Sequence, residues 1–430
     1  MSEWKTLTIP EFTDIISGAT PATNVQEYWD GDIEWVTPVD LSKLNSRFLK
    51  STLRKISKKG LENSSASLIP ANNVVMSSRA PIGYFAIPTK DFTTNQGCKS
   101  FKLYQHQDAE FHYYNFLLNI DYFKRFGSGS TFAEISKSDI EKLTFTIPTS
   151  LAEQRKIARI LSTVDAVIEK TEAVIAKYKA IKSGMMRDLF TRGIDLKTGK
   201  LRPRYEDAPE LYKESELGWV PKEWEVVQIN QVSTLVTNGF VGVATPYYES
   251  SDNGVKYLYG TNVRHDEIKF DDIRYVSRLF HNKQIKSQLK TGDMLTVQSG
   301  HIGTSAIVPQ NLGDANCHAL IITRFLLSKI FPWFVSYYLN SDMGMHGLEK
   351  LFIGSTIKHI NTSELAKHLI LKPGIEEQKE ISKRIDSIQL LLRNELVNLS
   401  KIQNLKQALM TDLLTGKVRV EYEKEKAEEM

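Results

Sequence analysis

Residues 153–191 read EQRKIARILSTVDAVIEKTEAVIAKYKAIKSGMMRDLFT, and residues 377–415 read EQKEISKRIDSIQLLLRNELVNLSKIQNLKQALMTDLLT. Both stretches belong to a longer repeat, in which short motifs recur in the same order in each half of the chain. The paired motifs are Gly129-Ser130-Thr131 and Gly354-Ser355-Thr356, Ile135-Ser136 and Ile360-Asn361, Pro148 and Pro373, Glu153-Gln154 and Glu377-Gln378, and Met186-x-Asp188-Leu189 and Met410-x-Asp412-Leu413. This duplication predicts two similar units related by an approximate internal two-fold axis.

Apolar residues in both stretches recur at alternating steps of four and three. The positions are Ile157, Leu161, Val164, Ile168, Thr171, Ile175, Tyr178, Lys182, Met185 and Leu189 in the first stretch, and Ile381, Ile385, Ile388, Leu392, Glu395, Leu399, Ile402, Lys406, Leu409 and Leu413 in the second. Both series are interrupted at the same two places. A heptad pattern of this length is typical of a coiled coil. The alternative is that each helix lies on the surface of its own globule.

Short β-type runs and turn dipeptides fill the region upstream of each helix. Residues 74–76 and 294–297 predict buried strands that end in polar turns. The expected fold class is therefore α+β, a tandem duplication of a mixed α/β globule followed by a long helix. Because each helix follows its globule, a parallel pair would crowd the globules together. We therefore expect an antiparallel coiled coil, which relates the globules by a pseudo-two-fold axis.

The expected division of the chain follows from these patterns. It is residues 1–150 for the first globule, 151–192 for the first helix, 193–220 for a linker, 221–373 for the second globule, 374–415 for the second helix, and 416–430 for a charged C-terminal tail.

Composition excludes several classes of protein. No apolar run is long enough for a membrane helix, and residues 1–5 lack the pattern of a signal peptide, so we expect a cytoplasmic protein. Cys98 and Cys317 are too few for a disulfide framework or a four-ligand zinc site. The net charge of +4 does not by itself indicate nucleic-acid binding.

The sequence also lacks the usual motifs of an enzyme. There is no Gly-x-x-x-x-Gly-Lys-Ser/Thr loop for ATP, and no Pro-Pro dipeptide, which the Asn/Asp-Pro-Pro-aromatic motif of amino-methyltransferases requires. The nine histidines do not show metal-ligand spacing. We therefore expect a non-catalytic chain with no metal and no cofactor of its own.

Positive charge is concentrated in two runs that contain no acidic residue. The runs are Arg47, Lys50, Arg54, Lys55, Lys58 and Lys59 in the first half, and Arg274, Arg278, Lys283, Lys286 and Lys290 in the second. Such a run is often only a solvated face. Their matching places in a duplicated chain make them candidates for contact with phosphate groups.

The ordered motifs of the chain resemble the specificity subunit of type I restriction-modification systems. In the first half they are Trp35-Val36-Thr37-Pro38-x-Asp40-Leu41, Ser78-Arg79-Ala80-Pro81-Ile82-Gly83, Thr94-Asn95-Gln96-Gly97, Gly127-Ser128-Gly129-Ser130-Thr131-Phe132 and Pro148-(5)-Gln154-x-x-Ile157. In the second half they are Gly218-Trp219-Val220-Pro221-x-x-Trp224, Gly260-Thr261-Asn262-Val263 and Glu376-Glu377-Gln378-x-x-Ile381. The resemblance covers essentially the whole chain, and it rests on the order and duplication of these motifs.

The resemblance implies an assembly around this chain. One such subunit joins two methyltransferase subunits that bind S-adenosylmethionine, and restriction (translocase-nuclease) subunits that use ATP and Mg²⁺ can be added. The target is double-stranded DNA with two half-sites, each read by one target-recognition globule, and the methyltransferase flips an adenine out of the stack. The helices would fix the separation of the half-sites and dock the methyltransferase subunits.

Turn residues are the candidates for reading bases. They are Arg79, Asn95 and Gln96 in the first half, and Ser299, His301, Asn316 and His318 in the second. Arginine pairs with guanine, and asparagine or glutamine with adenine, in the major groove. Two alternatives remain open. Asn95 and Gln96 can instead close a turn through their own backbone, and the whole chain can instead be a coiled-coil scaffold whose globules bind protein.

Overall fold

The computed structural model describes residues 3–79, 81–127, 134–352 and 358–422. The Gly129-Ser130-Thr131 and Gly354-Ser355-Thr356 motifs, Ala80 and most of the charged tail lie outside these ranges. The chain forms two compact units, Met1–Glu172 with Val397–Met430, and Ala173–Leu396. Within the described ranges, no helix combines the length and hydrophobicity that crossing a bilayer requires.

The first unit holds a mixed α/β globule. Its elements are β1 (Trp4–Thr8), β2 (Thr13–Ser17), β3 (Trp29–Val36), α1 (Pro38–Ser42), β4 (Phe48–Leu49), β5 (Lys55–Ile56), α2 (Lys58–Glu62), β6 (Val74–Ser77), β7 (Phe85–Pro88), β8 (Phe92–Thr94), β9 (Cys98–Leu103), α3 (Ala109–Leu118), α4 (Ile120–Phe126), α5 (Lys137–Glu141), β10 (Thr144–Pro148) and the start of α6 (Leu151–Thr191). The strands form a five-stranded sheet in the order β2-β9-β6-β7-β4, a three-stranded sheet in the order β5-β3-β8, and the pair β1-β10.

The second unit repeats this arrangement. Its elements after α6 are β11 (Ile194–Asp195), β12 (Lys200–Leu201), β13 (Tyr212–Ser215), β14 (Gly218–Pro221), β15 (Glu225–Gln228), β16 (Ser233–Asn238), β17 (Val255–Leu258), β18 (Val263–Arg264), β19 (Glu267–Ile268), β20 (Arg274–Val276), α7 (Arg278–Lys283), β21 (Met294–Val297), β22 (Ser305–Ile307), β23 (Ala315–Cys317), β24 (Leu320–Phe325), α8 (Pro332–Leu339), α9 (Asp342–Glu349), α10 (Thr362–Lys367), β25 (Leu369–Lys372) and α11 (Ile375–Leu414). The sheet β16-β24-β21-β22 matches β2-β9-β6-β7, and β20-β17-β23 matches β5-β3-β8. The predicted fold class, a duplicated mixed globule followed by a long helix, is confirmed.

Each unit buries the beginning of one long helix against the end of the other. In the first unit, Ile157 and Leu161 of α6 share a core with Met410 and Leu413 of α11. In the second unit, Met186, Leu189 and Phe190 of α6 share a core with Ile381 and Ile385 of α11. Start meets end in both units, so the two helices run antiparallel in each.

All of the predicted heptad positions are buried or half-buried. Ile157, Leu161, Ile175, Ile381, Ile385 and Ile388 are buried, while Val164, Ile168, Leu392 and Leu399 are half-buried. The two lysines that interrupt the pattern have acidic partners. Lys406 Nζ lies 2.6 Å from Asp165 Oδ1 in the first unit, and Lys182 Nζ lies 3.8 Å from Asp266 Oδ2 in the second.

A buried carboxylate at the start of each long helix ties three segments together. In the first unit, Glu153 accepts hydrogen bonds from Trp4 Nε1 at 3.1 Å and from Arg419 at 3.0 and 3.2 Å. In the second, Glu377 accepts from Trp224 Nε1 at 3.1 Å and from Arg202 at 2.5 and 3.1 Å. The arginine in each case follows the end of the other helix, so one carboxylate joins a globule to both helices.

The glutamine after each glutamate completes the connection. Gln154 Nε2 donates to Pro148 O at 2.9 Å, and its Oε1 accepts from the backbone N–H of Asp108 at 2.8 Å, just before α3. Gln378 makes the same two bonds, to Pro373 O at 2.8 Å and from Phe331 N–H at 2.8 Å, just before α8. The repeated Glu-Gln motif is thus a structural joint between globule and helix.

The glycine after each helix is required by this joint. Gly193 has φ of +62° and Gly416 has φ of +72°, which favour glycine because a Cβ atom is strained there. A Cβ on Gly193 would lie 2.4 Å from Trp224 Cζ2, so even a methyl group would push the indole ring away from Glu377.

We expect Glu377→Ala to destabilise the second unit strongly. The change leaves the Arg202 guanidinium, which is only 13% exposed, the Trp224 indole and the Ile194 N–H without their common acceptor. Breaking a buried ion pair from one side costs about 3–5 kcal/mol. Urea unfolding followed by tryptophan fluorescence measures the loss. The neighbouring Glu376→Ala is the matched control, because that carboxylate is exposed and its change should stay within about 0.5 kcal/mol. Equal losses for the two variants would contradict the assignment.

Candidate nucleic-acid interface

Three turns of the first unit meet along one edge, which we call the first polar edge (residues 18–20, 78–83 and 95–97, apart from Ala80). Backbone hydrogen bonds hold them together, from Ser78 N–H to Gly97 O at 2.8 Å and from Ala19 N–H to Thr94 O at 2.8 Å. The edge therefore brings Arg79 close to Asn95 and Gln96, as the sequence motifs suggested.

Side chains at the first polar edge are partly engaged with each other. Arg79 Nε lies 3.0 Å from Glu134 Oε2, and the arginine side chain is 54% exposed. Asn95 Oδ1 accepts the Gly97 N–H at 3.0 Å, which closes the turn. The exposed Gln96 accepts from Thr20 Oγ1 at 2.6 Å. Asn95 thus has the turn-closing bond that its alternative interpretation required, while Arg79 and Gln96 face solvent.

The first basic run does not form a single patch. Arg54 lies 3.7 Å above the Trp29 ring, and Trp35 beside it donates to Ala19 O at 3.0 Å, which places Arg54 next to the first polar edge. Three lysines pair with acids from elsewhere. The pairs are Lys55 with Glu34 at 3.0 Å, Lys58 with Glu62 at 3.9 Å and Lys59 with Glu27 at 2.7 Å. Lys50 is exposed.

Arg47 does not fit the prediction that it contacts phosphate groups. Its Nε lies 2.8 Å from Glu110 Oε2 and its Nη1 lies 4.0 Å from Asp165 Oδ2, and its side chain is mostly buried. The absence of acids within the run misled the prediction, because these acids come from α3 and α6. Arg47 serves the contact between globule and helix, so we leave it out of the interface.

Loops of the second unit meet at the corresponding place, which we call the second polar edge (residues 239–243, 259–262, 298–303 and 317–319). Phe240 N–H donates to Cys317 O at 2.9 Å, and His318 N–H donates to Leu258 O at 2.8 Å. His301 Nε2 lies 3.0 Å from Gly260 O. The backbone of Ser299 pairs with that of His359 just outside the loops, as Arg79 pairs with Glu134. The edge brings together Ser299, His301 and His318.

Asn316 does not belong to this edge. It lies within β23 opposite Tyr257, in the position that Thr93 takes opposite Trp35. The turn after β23 is one residue shorter than the turn after β8, so His318, and not Asn316, is the counterpart of Asn95. Asn316 is fully buried, and its amide group bonds to Ser287 Oγ at 2.8 Å, Gln284 O at 3.1 Å and His281 Nδ1 at 2.6 Å. Because it is buried and hydrogen-bonded in this way, we leave Asn316 out of the interface.

The second unit, like the first, has an arginine side chain that lies against aromatic rings. Arg274 lies 5.3 and 5.1 Å from the rings of Tyr248 and Tyr259, and its Nη1 donates to the hydroxyl oxygen (Oη) of Tyr248 at 2.8 Å. Hydrogen bonding to Tyr248 raises the pKa of Arg274, so its positive charge is secure. Burial, together with the nearby Arg274, lowers the pKa of His318. At neutral pH His318 is therefore an uncharged donor and acceptor.

The rest of the second basic run is exposed. Arg278 pairs with Asp314 at 2.7 Å. Lys283, Lys286 and Lys290 are also exposed, and the first two lie in and just after α7. Phe280 of α7 packs on Phe240 with ring centroids 5.0 Å apart, so this helix adjoins the second polar edge.

Sequence analysis missed Lys99. It is buried in β9 beneath the first polar edge, and burial lowers the pKa of its ammonium group, while Glu134 opposes that shift and Arg79 adds to it. Lys99, Arg79 and Glu134 are thus one electrostatic group. The signal was a lysine in a strand that otherwise reads as buried, between Cys98 and Ser100.

No group of three or more metal-ligating side chains is positioned to hold an ion within the part of the chain that the structure describes.

Comparison with known proteins agrees with this geometry. The family described as "Type I restriction modification DNA specificity domain" matches residues 1–178 and 221–407. The chain belongs to this family. It is a specificity subunit of a type I restriction-modification system, and its two matching segments fit a bipartite DNA target.

Individual relatives match over nearly the whole chain. The type I restriction enzyme MjaVIII specificity subunit of Methanocaldococcus jannaschii is 28% identical over 425 residues, which cover 97% of this chain and 93% of that one. The S subunit from M. genitalium has the same fold, with a TM-score of 0.56 at 14% identity over 96% of both chains. A chain solved in work on complex assembly and conformational transition of the type I R-M system gives a TM-score of 0.54 at 16% identity, covering 96% of this specificity subunit and 98% of that chain.

We expect Asn316→Ala to lower stability without changing which bases the specificity subunit prefers. Its removal leaves buried polar partners unpaired, at a cost of about 1–3 kcal/mol. Thermal unfolding gives the first quantity, and selection from a random duplex pool gives the second. Asn311→Ala is the control, because Asn311 lies in an exposed turn of the same unit. A changed base preference in Asn316→Ala at unchanged stability would restore Asn316 to the interface.

Proposed function

We propose that each polar edge reads one half-site of a bipartite double-stranded DNA target, and that the chain itself performs no chemistry. The observation that supports this most directly is the repeated frame with different side chains. The same turns meet in both units, yet Arg79 and Asn95 in one correspond to Ser299 and His318 in the other. Two domains that recognise different base sequences need a shared backbone arrangement that carries different side chains.

Base contact and phosphate contact fall to different residues in this proposal. Base edges are read by Arg79, Asn95 and Gln96 in the first unit, and by Ser299, His301 and His318 in the second. Phosphate groups contact the cations of the two basic runs other than Arg47, namely Lys50, Arg54, Lys55, Lys58, Lys59, Arg274, Arg278, Lys283, Lys286 and Lys290. Phosphate contacts position a protein on the duplex, whereas base contacts specify sequence. The ion pairs of Lys58 and Lys59 are exposed to solvent and therefore weak, so a phosphate can replace the acid, whereas Lys55 pairs with the buried Glu34.

The long helices act as the spacer in this proposal. Residues 151–192 and 374–415 are the spacer helices, 193–220 the linker, and 1–150 and 221–373 the target-recognition domains. A helix of 41 residues, such as Leu151–Thr191, is about 60 Å long. Its outward residues, among them Arg155, Lys156, Arg159, Glu172 and Lys179, would dock two methyltransferase subunits.

Chemistry then belongs to partner subunits. The methyltransferase subunits would supply S-adenosylmethionine, and restriction subunits would supply ATP and Mg²⁺. Such an assembly would work in the cytoplasm, where its DNA target lies.

A protein-binding scaffold is the competing interpretation. The arginines that lie on aromatic rings at both edges favour binding of nucleic acid over binding of protein. The aromatic rings hold each guanidinium in place, so that a cation for phosphate lies beside side chains that can read bases.

We expect selection with the assembled methyltransferase complex to enrich a split motif from random duplex DNA. Arg79→Ala should then relax preference within one half-site only, at a cost of about 1–3 kcal/mol if the contact with guanine is bidentate. Lys137→Ala is the control, because it removes an exposed cation in α5 of the same unit. If the wild-type complex enriches no motif, the scaffold interpretation stands instead.

We also expect the preferred half-site spacing to depend on helix length. Deleting residues 171–177 and 395–401 removes one heptad from the middle of each helix and keeps both apolar series in register. The helices shorten by about 10 Å, which corresponds to about three base pairs along the duplex. Selection with this variant should give the same half-site sequences at a changed spacing. A folded variant that keeps the original spacing would show that the helices do not set it.

A further inference from the structure

Two exposed valines project from the second polar edge. Val241 is 68% exposed and Val243 is 72% exposed. The loop that carries them is fixed at both ends, because Phe240 packs against Phe280 and Ala244 is buried in the same cluster. The backbone N–H of Phe240 bonds to Cys317 O, and that of Ala319 bonds to Phe240 O at 3.0 Å. The valines therefore stand on a tethered loop beside His318.

The corresponding place in the first unit is polar. Strand register pairs Ser17 with Lys99 and Asn238 with Ile321, which makes Thr20 the counterpart of Val241. In the first unit, Thr20 Oγ1 donates to the side-chain amide oxygen (Oε1) of Gln96.

Ala319 follows His318 in the second unit as Gln96 follows Asn95 in the first. A hydrogen-bonded pair, Thr20 with Gln96, is thus replaced by two apolar residues, Val241 and Ala319, in the same frame. Scattered exposed apolar residues are ordinary on a protein surface. A matched replacement at a reading edge is a change in the chemistry that the edge recognises.

The surroundings of the valines carry positive charge. Arg274 stacks on Tyr248 and Tyr259 at the same edge, and Lys283 lies on the helix whose Phe280 supports the loop. An apolar tip flanked by cations complements a duplex groove, which has phosphate walls. The apolar group that a base presents in the major groove is the 5-methyl of thymine.

We propose that Val241 and Val243 contact thymine 5-methyl groups, so that the second unit reads its half-site partly by apolar contact while the first reads by hydrogen bonds. This inference rests on the proposed function, since it needs the second polar edge to face DNA. It adds the kind of base group that this half-site must contain.

Replacing thymine by uracil in the selected target tests the proposal, because uracil lacks only the methyl group. The full specificity subunit is used with its methyltransferase subunits. Two duplexes are compared with the parent, each with uracil in one half-site. The half-site in which Arg79→Ala relaxes the base preference is the one that the first unit reads.

Each buried methyl group is worth about 0.8 kcal/mol, so uracil in the other half-site should weaken binding about fourfold for each methyl group lost. Uracil in the half-site of the first unit should leave affinity unchanged.

A double variant, Val241→Ser with Val243→Ser, provides the second arm. It should bind the parent duplex as weakly as the wild type binds the uracil duplex, and it should no longer distinguish thymine from uracil. Leu327→Ser is the matched control, since Leu327 is also 68% exposed but follows the opposite end of β24. Equal thermal unfolding midpoints establish that both variants fold.

The outcomes separate this inference from the function it rests on. If a split motif is selected but neither half-site responds to uracil, or the half-site of the second unit contains no thymine, the valine proposal is wrong and the proposed function stands. If no motif is selected, both fail. If the double variant loses methyltransferase subunits on size exclusion while still distinguishing thymine from uracil, the valines bind protein, which also overturns the proposal.

Discussion

Two buried carboxylates, Glu153 and Glu377, hold the rest of this structure in place. Each sits at the first turn of a long helix and accepts from a tryptophan indole and an arginine guanidinium. A buried charge is unfavourable unless it is paired and hydrogen-bonded, so all these partners must be present together. Because the partners come from the globule and from the segment after the other helix, satisfying one charge fixes the orientation of three parts of the chain.

A second electrostatic contact, between the globule and a long helix, is arranged differently in the two units. In the first, Arg47 of the globule and Lys406 of α11 flank the carboxylate of Asp165, which α6 carries. In the second, the globule supplies the carboxylate. Asp266 accepts from Asn340 at 2.6 Å and lies near Lys182 of α6. Burial raises the pKa of Asp266, and Lys182 counters that shift. The residue of the globule that faces the helix is thus a cation, Arg47, in the first unit and an acid, Asp266, in the second.

The long-range organisation was predictable because it depends on repeated local patterns. Heptad spacing and the paired Glu-Gln motifs gave the helices, the duplication and the fold class, since periodicity survives without knowledge of tertiary contacts. The turn motifs containing Arg79 and His318 were also recognisable, and the structure brings them to matching edges. What these patterns lacked was any information on partners from distant segments.

The structure does not support the predictions for Arg47 and Asn316, because sequence patterns do not show which distant segments pack together. Arg47 looked unpaired because Glu110 and Asp165 lie far away in sequence. Asn316 was placed in a turn with His318, whereas strand register shows that it lies inside β23. Lys99 and the tyrosines around Arg274 were not predicted as parts of the interface. They belong to it because of the polar edge beside them, and the sequence alone does not show that edge.

The contact between Glu153 and Arg419 joins residues that are 266 positions apart, and Met410 and Leu413 complete the same core. Domains generally fold as units during synthesis, with N-terminal ones first. The first unit cannot complete its core in that order, because four of the core residues lie between Met410 and Val420. The second unit, Ala173–Leu396, is contiguous and has all its residues earlier. The half of the protein that is made first is therefore the half whose core is completed last, when Met410 and Leu413 join Ile157 and Leu161.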